Sequence, residues 1–159
     1  SYAPIAPAAD YGRIIMAGES KYDSKILKYL DGKRGRGPYV LGPELALPIN
    51  ASYWTVQGSG AIVNGTLTAT AESSGTFGYQ TTNFLTAGKV YLITYIVSGK
   101  TAGTNVMCRF TTVDGVDLRT TNGVYMEVRT GTQTGTCAFK STTGFTGAIS
   151  NVSIREVIL

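Results

Sequence analysis

The chain has 159 residues, enough for one domain with a substantial buried core. Hydrophobic residues make up 43% of it and charged residues only 15%, below the roughly 25% charged fraction of an average globular protein. The net charge of +4 is divided evenly between the residues before and after position 50, so the clustered positive charge of a nucleic-acid-binding surface is missing. No apolar run approaches the roughly 18 residues of a membrane-spanning helix. The composition therefore favours a β-rich globular protein that binds neither nucleic acid nor membrane.

Residues 1–44 are predicted to form a docking arm made of an extended segment, one short helix and a basic linker. Pro4 and Pro7 stand among small residues, so the first segment is expected to be extended and unable to join the interior of a sheet. Residues 19–32 show the one helical pattern, which ends at Gly32. The residues expected to dock the arm onto a larger assembly are Tyr2, Pro4, Ile5, Tyr11, Tyr22, Ile26 and Leu30.

A helix as short as this one is marginal in water and needs a surface to pack against. Its apolar face contains Tyr22, Ile26 and Leu30, and the surface is either the rest of this chain or another subunit. The linker after the helix is expected to be solvated and flexible, with a contact to a phosphate or to an acidic surface as the alternative. Its basic residues are Lys33, Arg34 and Arg36.

The region 45–159 alternates short strand-like runs with turns. Asn64-Gly65 is the strongest signal for a two-residue hairpin, because both turn positions require a positive φ. Further strands are predicted over 86–99, 105–113, 123–129, 135–141 and 147–159. Short strands spaced this evenly predict an all-β domain, an antiparallel sandwich of two sheets.

The strand over 86–99 is apolar on both faces, which predicts that both faces are covered. Leu92 and Ile96 belong to the face opposite Tyr91, Ile93 and Tyr95. Either the N-terminal segment packs on that face or a partner does. Leu92 and Ile96 are therefore candidates for a contact between copies of this chain.

The last strand alternates aliphatic and polar residues up to the end of the sequence. Val152, Ile154 and Glu156 are expected to share one face of it, since side chains alternate along a strand. A terminal segment is ordered when it is tied into a sheet. We therefore expect this strand to pair centrally and to complete the fold.

The sequence offers little for catalysis. It has no histidine, which removes the most common general base and metal ligand. Cys108 and Cys137 are expected to be small buried residues, with a disulfide between neighbouring strands as the alternative. No metal, cofactor or enzymatic activity is predicted. The scattered acidic residues of the strand region are expected to be solvated: Glu72, Asp114, Asp117 and Glu127.

Aromatic and amide side chains provide the alternative of a carbohydrate site, because an aromatic ring can stack on the apolar face of a sugar. Tyr79 and Gln80 lie between turn-rich segments and are expected at an exposed rim. Trp54 is the only tryptophan, and a core position is favoured for it over a place in this site. The full set of candidate glycan-binding residues is Tyr53, Trp54, Tyr79, Gln80 and Tyr125.

Two segments carry a family resemblance, and both read as strands. A pattern Gly-Lys-x-Tyr-x-apolar-x-aromatic-x-Val is filled by Gly88, Lys89, Tyr91, Ile93, Tyr95 and Val97. A pattern Gly-x-Ile-x-Asn-Val-Ser-apolar-Arg-Glu is filled by Gly147, Ile149, Asn151, Val152, Ser153, Ile154, Arg155 and Glu156. With these segments, the region 45–159 resembles the jelly-roll modules, similar to carbohydrate-binding modules, of tail fibres and other virion proteins of tailed bacteriophages.

The resemblance implies a jelly-roll sandwich in a non-enzymatic virion structural protein, either a fibre or a head decoration subunit. Its partners would be other virion proteins (capsid, portal, connector or tail) and further copies of this chain, since trimers are common in that family. The alternatives are a module that binds host surface polysaccharide and a polysaccharide hydrolase. The N-terminus lacks the basic flank and apolar run of a secretory signal, which agrees with a virion assembled in the host cytoplasm.

Overall fold

The computed structural model describes residues 40–73, 75–101, 105–110, 113–114, 118–142 and 144–158. The extended segment, the helix and the basic linker predicted within the arm lie outside these residues. The same is true of all the candidate docking residues: Tyr2, Pro4, Ile5, Tyr11, Tyr22, Ile26 and Leu30.

The described residues form β-strands and no helix, as the sequence predicted. In chain order the strands are β1 (Val40–Glu44), β2 (Trp54–Val56), β3 (Ala61–Val63), β4 (Thr66–Glu72), β5 (Gly75–Gln80), β6 (Val90–Ser98), β7 (Val106–Phe110), β8 (Val113–Asp114), β9 (Gly123–Thr130), β10 (Cys137–Ser141) and β11 (Phe145–Ile158). The first sheet has the order β3-β4-β11-β6-β9, and β1 also pairs with β11. The second sheet has the order β2-β5-β10-β7-β8, and every pairing is antiparallel.

The strand order is that of a jelly roll. From β4 onward the chain passes back and forth between the sheets, with β4, β6, β9 and β11 in the first and β5, β7, β8 and β10 in the second. The late strands lie between the early ones: β11 separates β4 from β6, and β10 separates β5 from β7. This interleaving makes two packed Greek keys. The predicted two-sheet sandwich is confirmed, and its last strand is central.

The first described strand belongs to the sandwich. Residues 40–44, which the sequence analysis placed at the end of the arm, pair with the C-terminal half of β11, so that Leu41 lies opposite Val157. The Glu44 carboxylate accepts hydrogen bonds from Ser153 Oγ (2.6 Å) and from the amide of Ile154 (2.7 Å). Residues 40–44 therefore belong to the first sheet and not to the arm.

The long strand β11 contains a bulge that the sequence analysis did not anticipate. Ser150 pairs with Ile96 and Ser153 with Thr94, so Asn151 and Val152 together oppose one residue of β6. Asn151 adopts a φ of 53° there. The predicted alternation from Val152 to Glu156 is correct, and Ile149 also points inward because the extra residue reverses the parity.

The interior between the sheets is a single apolar cluster rich in aromatic rings. Trp54 stacks near Phe139 with 6.4 Å between ring centroids, and Phe77 near Phe145 with 5.5 Å. At the predicted hairpin between β3 and β4, Asn64 and Gly65 have φ angles of 48° and 75°, as a tight turn of this kind requires. One core thus joins both sheets into one domain.

A second apolar set lies on the opposite face of the first sheet. The register places Val90 beside Val157 and Leu92 beside Val128, all pointing away from the second sheet. Leu92 is only 2% exposed and Val90 only 4%, yet neither belongs to the interior cluster. The outer face of this sheet is therefore apolar at its centre, as the sequence predicted for the 86–99 strand.

Candidate functional site

Two of the candidate glycan-binding residues are core residues that position the start of the sandwich. Trp54 is 2% exposed, and its indole N–H donates to the carbonyl of Leu47 at 3.0 Å. Gln80 is 1% exposed; its side-chain oxygen accepts from the amide of Leu47 and its NH₂ donates to the carbonyl of Leu45. The favoured core position therefore holds for Trp54, and the expected exposure of Gln80 is wrong. Gln80 is buried because its amide group satisfies backbone groups that a turn-rich segment leaves open.

The three tyrosines among the candidates are more accessible than Trp54 and Gln80, but the fold does not place all three on one surface. Tyr53 is exposed in the turn before β2. Tyr79 is half-buried on the outward face of the second sheet, directly between Thr55 of β2 and Ala138 of β10. Tyr125 belongs to β9 of the first sheet and points to the interior side, where its hydroxyl donates to the carbonyl of Thr121 at 2.6 Å. The five candidates thus occupy four places: the core, the turn before β2, the outward face of the second sheet and the interior side of β9.

A buried charged cluster that the sequence analysis missed lies at the β9 edge of the sandwich. Arg119 Nη2 contacts Glu127 Oε2 at 2.8 Å, and the Tyr95 hydroxyl donates to the same oxygen at 2.7 Å. Arg119 Nε also donates to the Tyr95 oxygen at 3.0 Å. The guanidinium lies 4.6 Å from the centre of the Tyr125 ring, a cation–π distance. We call Tyr95, Arg119, Tyr125 and Glu127 the edge cluster.

Electrostatics keep Tyr95 and Arg119 of the edge cluster protonated near neutral pH. Burial raises the pKa of Tyr95 far above its usual value, and the neighbouring Glu127 raises it further. Burial by itself would lower the pKa of Arg119, but its contacts with Tyr95 and Glu127 outweigh that effect and raise it. Neither group exchanges a proton near neutral pH, so the edge cluster acts as a structural clamp. Inward-pointing charges also disfavour pairing of an edge strand with another chain.

The acidic residues are less solvated than the sequence predicted. Glu72 and Glu127 are both buried, which corrects the expectation for these two. Glu72 accepts from the amide and the hydroxyl of Ser59, at 2.6 and 2.7 Å. Asp117 and the side chain of Asp114 lie outside the described residues. A position near a turn did not predict exposure here, because each of the two glutamates contacts residues on other segments of the chain.

The two buried carboxylates are poorly placed for glycoside hydrolysis. Glu72 lies on β4 and Glu127 on β9, and β11 and β6 separate these strands in the first sheet. Three strand spacings amount to about 14 Å. A pair of catalytic carboxylates needs a separation of roughly 5–9.5 Å. These two glutamates therefore do not form such a pair.

Cys108 and Cys137 are free, fully buried thiols on the neighbouring strands β7 and β10. Burial raises the pKa of Cys137 to about 12. Burial and the nearby Glu127 carboxylate raise the pKa of Cys108 well above its usual value. Both sulfurs therefore remain protonated and serve as small apolar groups, the reading that the sequence favoured.

The two motif segments meet at one end of the first sheet. Lys89 Nζ lies 2.9 Å from Glu156 Oε2, which joins the Gly-Lys pattern to the Arg-Glu pattern. Beside this ion pair is a cleft of about 250 Å³, lined by Pro43, Leu45, Phe84, Thr86, Lys89, Tyr91 and Glu156. The Tyr91 hydroxyl in this cleft accepts from the amide of Thr86 at 2.8 Å. The polar groups that line the cleft thus bond to one another, and these bonds stabilise the cleft walls.

The candidate residues for a contact between copies, Leu92 and Ile96, both lie on the outer face of the first sheet. Leu92 is buried and Ile96 is half-buried. Across β9, the neighbour of Ile96 is Val124, which is 45% exposed. The open part of this face is therefore at the Ile96 and Val124 end.

The described residues contain no group of three or more acidic, histidine or cysteine side chains that could hold a metal ion. Within the same residues there is no helix long and apolar enough to span a membrane. No protein-family model matches the sequence, and no curated protein matches it either.

Proposed function

We propose that this protein is a non-enzymatic structural subunit of a tailed-bacteriophage virion, a fibre or a head decoration subunit. In this proposal the segment before Val40 docks onto capsid, portal, connector or tail proteins. The jelly-roll sandwich is displayed at the particle surface, as a homo-oligomer and possible trimer in the assembled virion. The proposal rests on the family resemblance of residues 45–159 and on the following observation.

The two segments that carry the resemblance are neighbours in the fold. They form β6 and β11, which pair from Val90 opposite Val157 to Ser98 opposite Ala148. Motif residues explain details of this pairing: the Lys89–Glu156 ion pair links the strands, and Asn151 forms the bulge. The motifs therefore describe one framework and not two unrelated matches, which supports the resemblance. Because a fold does not specify a function, the role in a virion is inferred from the resemblance.

Immunogold electron microscopy of purified particles tests this proposal. Antibody raised against residues 49–159 should label particles of the phage that encodes the chain. Label on the head supports a decoration subunit, and label at the tail or neck supports a fibre. If the protein is absent from purified particles and remains with the soluble lysate, the proposal is wrong.

Glycan binding is the second candidate, and the position of Tyr79 favours it. Tyr79 lies on the outward face of the second sheet between two small residues, Thr55 and Ala138, and its side chain is half-buried. Lys140, on the same face, is half-buried. An aromatic ring with polar neighbours on a sheet face can stack on a sugar and hydrogen-bond its hydroxyl groups.

A glycan array with a matched pair of variants tests this second candidate. Tyr79→Ala should abolish binding of a host surface polysaccharide, and Val63→Ala, at an exposed residue of the first sheet, should not. Equal loss from both variants, or no binding by the unaltered protein, would rule out a site at Tyr79. Quenching of Trp54 fluorescence is unsuitable as the readout, since that ring is buried.

A further inference from the structure

The outer face of the first sheet is covered more completely than the described strands explain. Leu41, Val90, Leu92 and Val157 are each buried and none is part of the interior cluster. The strands of this sheet lie side by side, and the second sheet packs against the opposite face. On this face the neighbours of Leu92 within the sheet are Val128 and Arg155, and the Arg155 side chain reaches away from Leu92 to donate to the carbonyl of Gly42 at 2.7 Å. Side chains on the outward face of a sandwich normally stay partly wet, so a further layer is needed here.

We propose that the helix predicted over 19–32 of the same chain provides this layer, packing Tyr22, Ile26 and Leu30 on the outer face around Val90 and Leu92. This inference holds whether or not the protein is a virion subunit. The helix could pack on the sandwich of its own chain or on another subunit, and the proposal selects its own chain.

The point where the chain enters the sheet favours its own sandwich. Val40 pairs with Ile158, and Val157 pairs with Val90, so Val40 and the connection to the preceding segment lie at the Val90 end of the face. From β1 to β6 is two strand spacings, about 10 Å. Residues 33–39, between helix and strand, can span roughly 23 Å when extended. The linker is therefore long enough to return the helix across the sheet.

The length and the apolar stripe of the predicted helix also match the outer face of the first sheet. A helix of fourteen residues is about 21 Å long, and the outward residues from Val90 to Ile96 cover about 20 Å of strand. The helix has one apolar stripe and polar residues elsewhere, so it can cover the face and remain wet on its other side. A tethered helix also has a high effective concentration at this face compared with a second molecule. Tyr2, Pro4, Ile5 and Tyr11 would then be the arm residues left to contact a particle.

Photo-cross-linking of the full chain tests the contact directly. We would place p-benzoyl-phenylalanine at Ile96, on the outer face of the first sheet, and in a control at Thr55, on the outer face of the second. The proposal predicts a cross-link from position 96 to a peptide within residues 19–32 in protein that runs as a monomer on a denaturing gel. The control should give no such product. A cross-linked dimer from position 96, or no link to 19–32 in folded protein, overturns the proposal.

A pair of glutamine variants tests the same contact without a bulky probe. Ile26→Gln alters the apolar stripe, whereas Lys28→Gln lies about 200° around the helix from it. Ile26→Gln should lower the urea midpoint of unfolding equally at low and high protein concentration, and Lys28→Gln should leave it unchanged. Identical midpoints for the two variants contradict the proposal. An effect that appears only at high concentration assigns the face to a second copy and contradicts it as well.

Discussion

At the scale of single residues, the edge cluster is the feature with the clearest energetic consequence. Arg119 and Glu127 are largely withdrawn from water, with 12% and 6% of their side chains exposed. A charge in such a place depends on its partner, because the loss of water is otherwise uncompensated. The Lys89–Glu156 pair is the natural comparison, because its lysine side chain is 53% exposed.

Glu127→Gln should destabilise the protein by about 2–4 kcal/mol, because it leaves the guanidinium of Arg119 buried without its counter-charge. Urea denaturation measures the effect. Glu156→Gln, which breaks the exposed pair, should leave the midpoint nearly unchanged. Arg119→Met combined with Glu127→Leu should recover part of the loss. Equal effects of Glu127→Gln and Glu156→Gln would show that burial of the first pair is unimportant.

The two buried thiols should make the free energy of unfolding fall as the pH becomes alkaline. The pKa of Cys137 is about 12 in the folded protein and that of Cys108 is also raised, compared with the usual 9.0. The two protonated thiols therefore stabilise the folded protein fully below pH 9. This contribution is lost as the pH rises from 9 towards 12, because the thiols of the unfolded chain release their protons at a lower pH than those of the folded protein. Urea midpoints at pH 8, 9 and 10 measure this loss. A variant with Cys108→Ala and Cys137→Ala should lose less stability over the same range; an unchanged slope would assign the effect to other groups.

At the scale of elements, the bulge in β11 allows one strand to serve both ends of the first sheet. Before the bulge β11 pairs with β4, and after it with β1, while β6 pairs with the other edge of β11 on both sides of the bulge, from Ala148 to Val157. A continuous fourteen-residue strand could not keep Ile149 and Ile154 on the same face without an extra residue. The left-handed conformation of Asn151 is the cost of that arrangement.

Asn151→Val should destabilise the protein by roughly 1–2 kcal/mol, because a β-branched residue tolerates a positive φ poorly. Asn151→Gly should be close to neutral, since glycine adopts this conformation freely. Thermal unfolding of the two variants distinguishes backbone strain from loss of the asparagine side chain. If both variants lose the same stability, the side chain and not the conformation is what matters at this position.

Gly78 of β5 packs directly against the first sheet. A Cβ atom there would lie 2.4 Å from Cδ1 of the buried Leu67 on β4. Gly78→Ala should therefore cost about 1–3 kcal/mol through overpacking. Gly42→Ala, where the nearest atom would be at 3.6 Å, is the control and should have little effect. In a Leu67→Ala background the cost of Gly78→Ala should shrink, and a cost that stays constant would argue against this contact.

At the scale of the whole molecule, the jelly-roll topology joins strands that are far apart in sequence. Glu72 pairs with Phe145, and Gly75 with Ser141, so the sheets form only after large loops have closed. The single interior cluster takes residues from both sheets. These features predict one cooperative unfolding transition and slow folding for the size of the domain.

Trp54 fluorescence and far-ultraviolet circular dichroism should therefore give the same urea unfolding curve. Trp54 reports on the second sheet and on the interior, while circular dichroism reports on all strands. Refolding should take milliseconds to seconds, as in other proteins dominated by long-range strand pairing. Two separated transitions would show that the sheets unfold independently and that the interior is not one cooperative unit.

Local patterns in the sequence were sufficient for the all-β class, the Asn64-Gly65 hairpin, most strand positions and the central place of the last strand. Alternation and turn chemistry are short-range properties, so each can be read within a few residues. The same patterns indicated that the outer face of the 86–99 strand is apolar, because both parities of that segment carry aliphatic residues. Residue types alone also favoured a buried role for both cysteines.

The interior partners were decided by the tertiary structure. Gln80 is buried because Leu45 and Leu47 come back to it across more than thirty residues, and no feature near Gln80 in the sequence signals that contact. Glu127 meets Tyr95 of the neighbouring strand across 32 residues, and it meets Arg119, which forms a bridge with Val106 of the second sheet. The bulge at Asn151 likewise depends on what β6 offers opposite it. Polar burial and strand register are set by contacts between distant segments, and only the folded chain brings those segments together.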